Sequence, residues 1–179
     1  MVVTLIGYRG SGKSTIASLL AQRLNWSWID ADTELERRAG KSIREIFRDE
    51  GEPHFRRLER DVMHELLQRD RLVIAAGGGA ILDPDTRNDL RQSGPVVWLE
   101  ASLETLAARI EADTSTAARR PTLTTGSPVA EIQTVLAQRE PIYRACATHI
   151  VSVENRSPDE IVCQILENLG TSFGSGART

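Results

Sequence analysis

The chain has 179 residues, 40% hydrophobic and 26% charged, a balance that suits one folded domain with a buried core and excludes a disordered chain. Its 22 Lys and Arg stand against 25 Asp and Glu, so no global positive charge is available for nucleic acid or an anionic membrane. The two cysteines, Cys146 and Cys163, form neither a CxxC pair nor a zinc-like spacing with His, and a reduced, cytoplasmic protein is expected. No apolar run approaches the about 20 residues that cross a bilayer, and the short apolar start has no basic leader, so neither a membrane segment nor a signal peptide is expected.

Val2 to Ile6 is a β-branched run that ends at Gly7, and Ile16, Ala17, Leu19, Leu20 and Leu24 then recur at helical spacing, which predicts strand, glycine loop, helix. Trp28 to Asp30 reads as a second strand, Leu72 to Ala76 as a third, Val96 to Leu99 as a fourth and His149 to Val153 as a fifth. Helices are predicted over Asp32 to Ala39, Ile43 to Asp49, Pro53 to Arg69, Pro84 to Gln92, Leu103 to Glu111, Pro128 to Ala145 and Pro158 to Leu169, several of them opening at Pro. Strands alternating with helices predict an α/β fold, a three-layer αβα arrangement around a five-stranded parallel sheet. Residues 113 to 128 are rich in Thr, Ser, Ala, Gly and Pro and read as a mobile lid in a single domain of residues 1 to 170. The small, polar residues 171 to 179 read as a frayed tail, and Trp26, Trp28 and Trp98 as core or near-core residues beside strands.

Gly7-Tyr8-Arg9-Gly10-Ser11-Gly12-Lys13-Ser14 matches GxxxxGK[ST] between an apolar strand and an amphipathic helix, the context a phosphate-binding loop needs. The glycines let successive N–H groups turn inward, and the following helix presents its positive end to phosphate. Lys13 adds a full charge on the transferring group, and the Ser14 hydroxyl is suited to Mg²⁺. An ATP-dependent enzyme is the expectation, since the NKxD sequence that reads guanine is absent.

Asp30-Ala31-Asp32 closes the second strand, at a strand's C-terminal end, where ligands bind in open α/β sheets. One carboxylate there suits Mg²⁺ through water and the other an acceptor hydroxyl; the plainer alternative makes Asp32 the cap of the next helix. Further along stand Gly40-Lys41-Ser42-Ile43 with Ile46-Phe47, then Phe55-Arg56-Arg57-Leu58-Glu59, then Gly77-Gly78-Gly79, then Arg139-Glu140-Pro141-Ile142-Tyr143. Taken singly these are a helix-surface pair, a tight turn and a solvated arginine. Taken in order, with the phosphate loop, they make the chain resemble the shikimate kinases over residues 2 to 170.

That resemblance implies a P-loop kinase that moves the γ-phosphoryl group of ATP, with Mg²⁺, onto the 3-hydroxyl of shikimate in aromatic amino-acid biosynthesis. It implies that Gly10, Ser11, Gly12, Lys13, Ser14 and Thr15 hold the ATP phosphates, with Ser14 and Asp30 at the metal. Asp32 would meet the shikimate hydroxyls, either as base or by orienting the acceptor, and Arg56, Arg139, Gly77 and Gly78 would hold shikimate. Two guanidinium forks suit a planar carboxylate, and Glu59, one turn from Arg56, is placed to orient it. Arg109 and Arg156, the latter in Asn155-Arg156-Ser157-Pro158, would flank adenine. The lid arginine before proline falls on Arg120, although Arg119 precedes it and Arg120-Pro121-Thr122-Leu123 departs from the common RPLL. A monomer is implied. A related sugar-acid kinase such as gluconate kinase and a non-catalytic nucleotide-binding protein are the rival readings.

Overall fold

The computed structural model describes residues 1–112 and 128–174. The predicted lid arginines, Arg119 and Arg120, and residues 175–179 lie outside the described residues. Five strands, β1 (Val2–Ile6), β2 (Ser27–Asp30), β3 (Leu72–Ala75), β4 (Val96–Glu100) and β5 (His149–Ser152), form one sheet of order β2-β3-β1-β4-β5. Every pairing is parallel. The helices are α1 (Lys13–Leu24), α2 (Ala31–Ala39), α3 (Ile43–Asp49), α4 (Gly51–Leu67), α5 (Pro84–Ser93), α6 (Leu103–Ala112), α7 (Pro128–Cys146) and α8 (Pro158–Gly174).

The period of two along β1 divides the core. Val2 and Ile6 face a cluster that includes Leu35, Ile46, Phe55, Met63, Trp98 and Tyr143, whereas Val3 and Leu5 face α1 and α8 through Ile16, Leu20, Val162 and Ile165. Both faces of β1 are therefore covered, which is why all five of its residues are buried and its apolar residues do not alternate with exposed ones. A smaller cluster seats Tyr8, Leu106, Ile132 and Val135 where the phosphate loop meets α6 and α7.

Local signals set several boundaries. Ser42 and Glu45 make a reciprocal capping box at the start of α3, and Asp83 caps α5 by accepting from Thr86 N at 2.7 Å, with Pro84 as the first helical residue. Helix α4 begins at Gly51, two residues before Pro53; proline is accommodated because the N–H groups of a first turn have no intrahelical partner. Helix α8 continues through Gly174, past its predicted end at Leu169. Trp28 is 41% exposed and Trp98 3%. The expectation of a near-core Trp28 is corrected by topology, because β2 is an edge strand with one open side.

Candidate active site

The phosphate loop leaves the C-terminal end of β1, the central strand. Gly7, Gly10 and Gly12 take φ of 142°, 83° and 92°, a region L side chains rarely adopt, and a Cβ on Gly7 would meet the Leu99 carbonyl oxygen at 2.8 Å. Lys13 folds back across the loop, its Nζ donating to the carbonyls of Gly7 and Tyr8 at 2.9 Å each. Ser14 and Thr15 are exposed on the first turn of α1, and Ser11 is buried with its hydroxyl unpartnered.

The two carboxylates at the junction of β2 and α2 divide the work differently from the simplest expectation. Asp30, not Asp32, caps α2, its Oδ1 accepting from the backbone N–H of Asp32 at 3.0 Å and of Thr33 at 3.2 Å. The other oxygen of Asp30 accepts the Ser14 hydroxyl at 2.5 Å. Asp32 is thereby released from capping and lies against Gly77, where a Cβ would sit 2.7 Å from its Oδ1 and 2.9 Å from Oε1 of Glu59. Only glycine leaves room for both carboxylates at that turn.

Glu59 on α4 is 6% exposed and accepts Nη1 of Arg56 at 2.7 Å, with Glu52 taking the same guanidinium at 2.9 Å. Burial pushes the Glu59 carboxyl above the usual carboxylate range, against the opposing pull of Arg56. Burial works against the charge on Arg56 too, but Glu59 and Glu52 outweigh it and raise its pKa. From the far side of the turn, Arg139 on α7 donates to the Gly78 carbonyl at 3.1 Å and makes no ion pair among the described residues. A cavity opens between them, with Ile43, Phe47 and Phe55 as its apolar wall and Arg9, Arg56, Arg139, Gly78 and Gly79 as its polar one. Phe47 and Phe55 pack with ring centroids 4.7 Å apart. Such a space suits a compact ring with one apolar face and a carboxylate.

Arg109 lies against the loop, its Nη1 donating to the Gly10 carbonyl at 3.4 Å. Arg156 is exposed and hydrogen-bonded to Gln164 of α8, and among the described residues it makes no hydrogen bond to Arg109 or to the loop. Three features went unread in the sequence. Arg9 pairs at 3.5 Å with Glu131, a carboxylate only 2% exposed; Tyr8 lines the cavity with a buried, unpartnered hydroxyl. Glu154 accepts from Ser102 N at 2.6 Å and Thr105 Oγ1 at 2.7 Å, and those bonds hold its carboxyl below the ordinary range. The only advance signal for Glu154 was its place just beyond a strand's C-terminal end, where sites collect.

Comparison with known proteins agrees with this geometry. The sequence profile described as "Shikimate kinase" matches residues 9–170. A shikimate kinase of Rhodopirellula baltica is 46% identical over 170 residues, 95% of this chain and 91% of that one, and one of Hahella chejuensis is 40% identical over 95% of this chain and 86% of its own. The solved structure of the Acinetobacter baumannii shikimate kinase, in complex with shikimate, superposes with a TM-score of 0.88 at 33% identity, covering 99% of this chain and 95% of that one. With a phosphate loop beside a cavity walled by three arginines, and a profile match over nearly its whole length, the chain belongs to the shikimate kinase family.

Proposed function

We propose that the chain transfers the γ-phosphoryl group of ATP to the 3-hydroxyl of shikimate, giving shikimate 3-phosphate and ADP. The observation that carries this reading is the contact between the two half-sites: a Cβ on Gly78 would lie 3.5 Å from the Gly7 carbonyl of the phosphate loop and 3.7 Å from Nη1 of Arg139. The acceptor's carboxylate grip and the phosphate loop thus share one glycine, and a small acceptor held at the first stands within reach of the second.

In this reading the loop residues Gly10, Ser11, Gly12, Lys13, Ser14 and Thr15 cradle the ATP phosphates, with Lys13 leaving the Gly7 and Tyr8 carbonyls for the phosphoryl oxygens. Arg56 and Arg139 take the shikimate carboxylate, Arg139 more readily because no ion pair among the described residues engages it. Gly77 keeps Asp32 close, and the Asp32 carboxylate orients the 3-hydroxyl and receives its proton as the oxygen attacks phosphorus and the bond to the β-phosphate oxygen breaks. Phosphoryl transfer is loose, so this positioning outweighs base strength. Ser14 and Asp30 suit Mg²⁺: both are hard oxygen donors, already in contact. Among the described residues no group of three or more His, Cys, Asp or Glu could hold a metal, as fits an ion that keeps waters and phosphate oxygens. Bound there, Mg²⁺ supplies positive charge to the β- and γ-phosphates. Arg109, beside the loop, and Arg156 are assigned to the adenine side, and Arg120 to the transferring phosphate.

The protein is proposed to act as a cytoplasmic monomer of one domain, on a small metabolite; no described helix is long and apolar enough to cross a membrane. The test is coupled ADP release with ATP·Mg²⁺ and shikimate, beside gluconate and a no-acceptor control. Shikimate-dependent release is expected. Release with gluconate in its place assigns the chain to the sugar-acid reading, and ATP binding without acceptor-dependent release to the binding-protein reading.

A further inference from the structure

Arg139 and Tyr143 are four residues apart on α7, one turn along a single face, with Pro141 between them. Both reach the same atom. The Tyr143 hydroxyl donates to the Gly78 carbonyl at 2.6 Å, and Nη1 of Arg139 donates to it at 3.1 Å. Tyr143 is fully buried, and its ring stacks on Trp98 of β4 with centroids 5.9 Å apart and planes 25° from parallel, so the ring is fixed by the core.

The triple-glycine turn is held by its carbonyls. Ala80 N donates to Gly77 O at 3.1 Å and Leu82 N to Gly79 O at 2.9 Å, both from the short 3₁₀ turn Ala80–Leu82. Gly78 O alone among the three is held by side chains from another element. Because a peptide is planar and trans, fixing the Gly78 carbonyl on α7 turns the Gly79 N–H the opposite way. The same bond sets the height of Gly78 against the phosphate loop and the place of Arg139. Glycine has no side chain to resist rotation, so the orientation of this peptide rests on its acceptor bonds.

We infer that Tyr143 is a positioning residue of the acceptor site: through the Gly78 carbonyl that it shares with Arg139, it orients the turn and the guanidinium that receive the acceptor's carboxylate. The inference deepens the shikimate reading and rests on it. Packing alone would be met by phenylalanine, and the hydroxyl is what reaches the cavity-lining turn.

Tyr143→Phe isolates the hydroxyl, since the ring still stacks on Trp98 and Arg139 still satisfies the carbonyl, so folding is retained. Removing one such bond raises the shikimate KM and the calorimetric shikimate Kd roughly fivefold, while the ATP KM changes by less than about twofold. Combined with Arg139→Lys, the increase falls short of the product of the single effects because both act on one oxygen. Trp98→Phe, which loosens the stack and leaves the hydroxyl in reach, lowers the melting temperature and leaves the shikimate KM in place. If wild-type protein does not phosphorylate shikimate, the functional reading fails. If it does, and Tyr143→Phe leaves the shikimate KM and Kd unchanged or moves both substrates equally, Tyr143 is a packing residue and the inference is overturned.

Discussion

Replacing Gly79 by Ala should weaken acceptor binding and leave ATP binding in place. A Cβ at that position would lie 2.4 Å from Nη1 of Arg56, 3.1 Å from its Cζ and 3.2 Å from Nη2. The backbone there has φ −103° and ψ −6°, open to any L residue, so the main chain accepts Ala and gains about 0.4–1 kcal/mol from a stiffer unfolded state. The guanidinium must yield instead. Ordinary contact begins at 3.4 Å, so Nη1 retreats by about 1 Å, enough to take its 2.7 Å bond to Glu59 past hydrogen-bonding range. Glu52, at 2.9 Å, still holds the displaced cation, whereas Glu59, 6% exposed, loses its partner, so the melting temperature falls as well. The displaced guanidinium also misses the acceptor's carboxylate, and losing that one charge-assisted bond costs about 1.5–3 kcal/mol, or roughly 10- to 150-fold in the shikimate KM. The assay is ADP release against shikimate concentration, beside a thermal melt. A shikimate KM within about twofold of wild type, or an equal rise in the ATP KM, refutes the reasoning.

Lys13→Ala should abolish ATP turnover with the melting temperature preserved, because Lys13 joins two loop carbonyls and no core cluster; retained turnover sinks the phosphate-loop assignment. Asp32→Asn should lower kcat by several orders of magnitude, since the substitution removes the charge of a residue that caps no helix while nearly keeping its shape; in a steady-state assay, a drop below about tenfold removes it from the chemistry. Glu34 is held at about 2, against an ordinary 4.5, by hydrogen bonds from Arg37 and Arg38. Its contribution to stability is complete above pH 4.5 and lost as pH falls toward 2. Melting curves of Glu34→Gln should therefore decline less steeply than wild type over that window, and parallel curves would discount the pair.

What the sequence disclosed was what sits close along the chain. The phosphate loop, its flanking strand and helix, and the pairing of Arg56 with Glu59 one turn away are local, so spacing alone exposed them. Convergence is another matter: Arg56 and Arg139 are set on opposite sides of the Gly78–Gly79 turn by the packing of α4 and α7, which no periodicity encodes. Sheet order escaped for the same reason. Trp28 reads as a core residue until β2 is found at the edge, where its outer side meets solvent. The sequence offered Asp32 as the cap of α2, and the strand's final geometry gave that task to Asp30. Glu131 and Glu154 were missed because a carboxylate held by a distant partner is recognisable only once that partner, 122 residues away for Arg9 and 52 for Ser102, has been folded against it.

The most direct measurement is to locate phosphorus in the product of a turnover with ATP·Mg²⁺ and shikimate by ³¹P–¹H correlation. Coupling of phosphorus to the proton on carbon 3, with ADP formed in equal amount, is predicted. Phosphate on another hydroxyl would contradict the placing of Asp32 against the acceptor, and ADP formed without any shikimate phosphate would contradict the function itself.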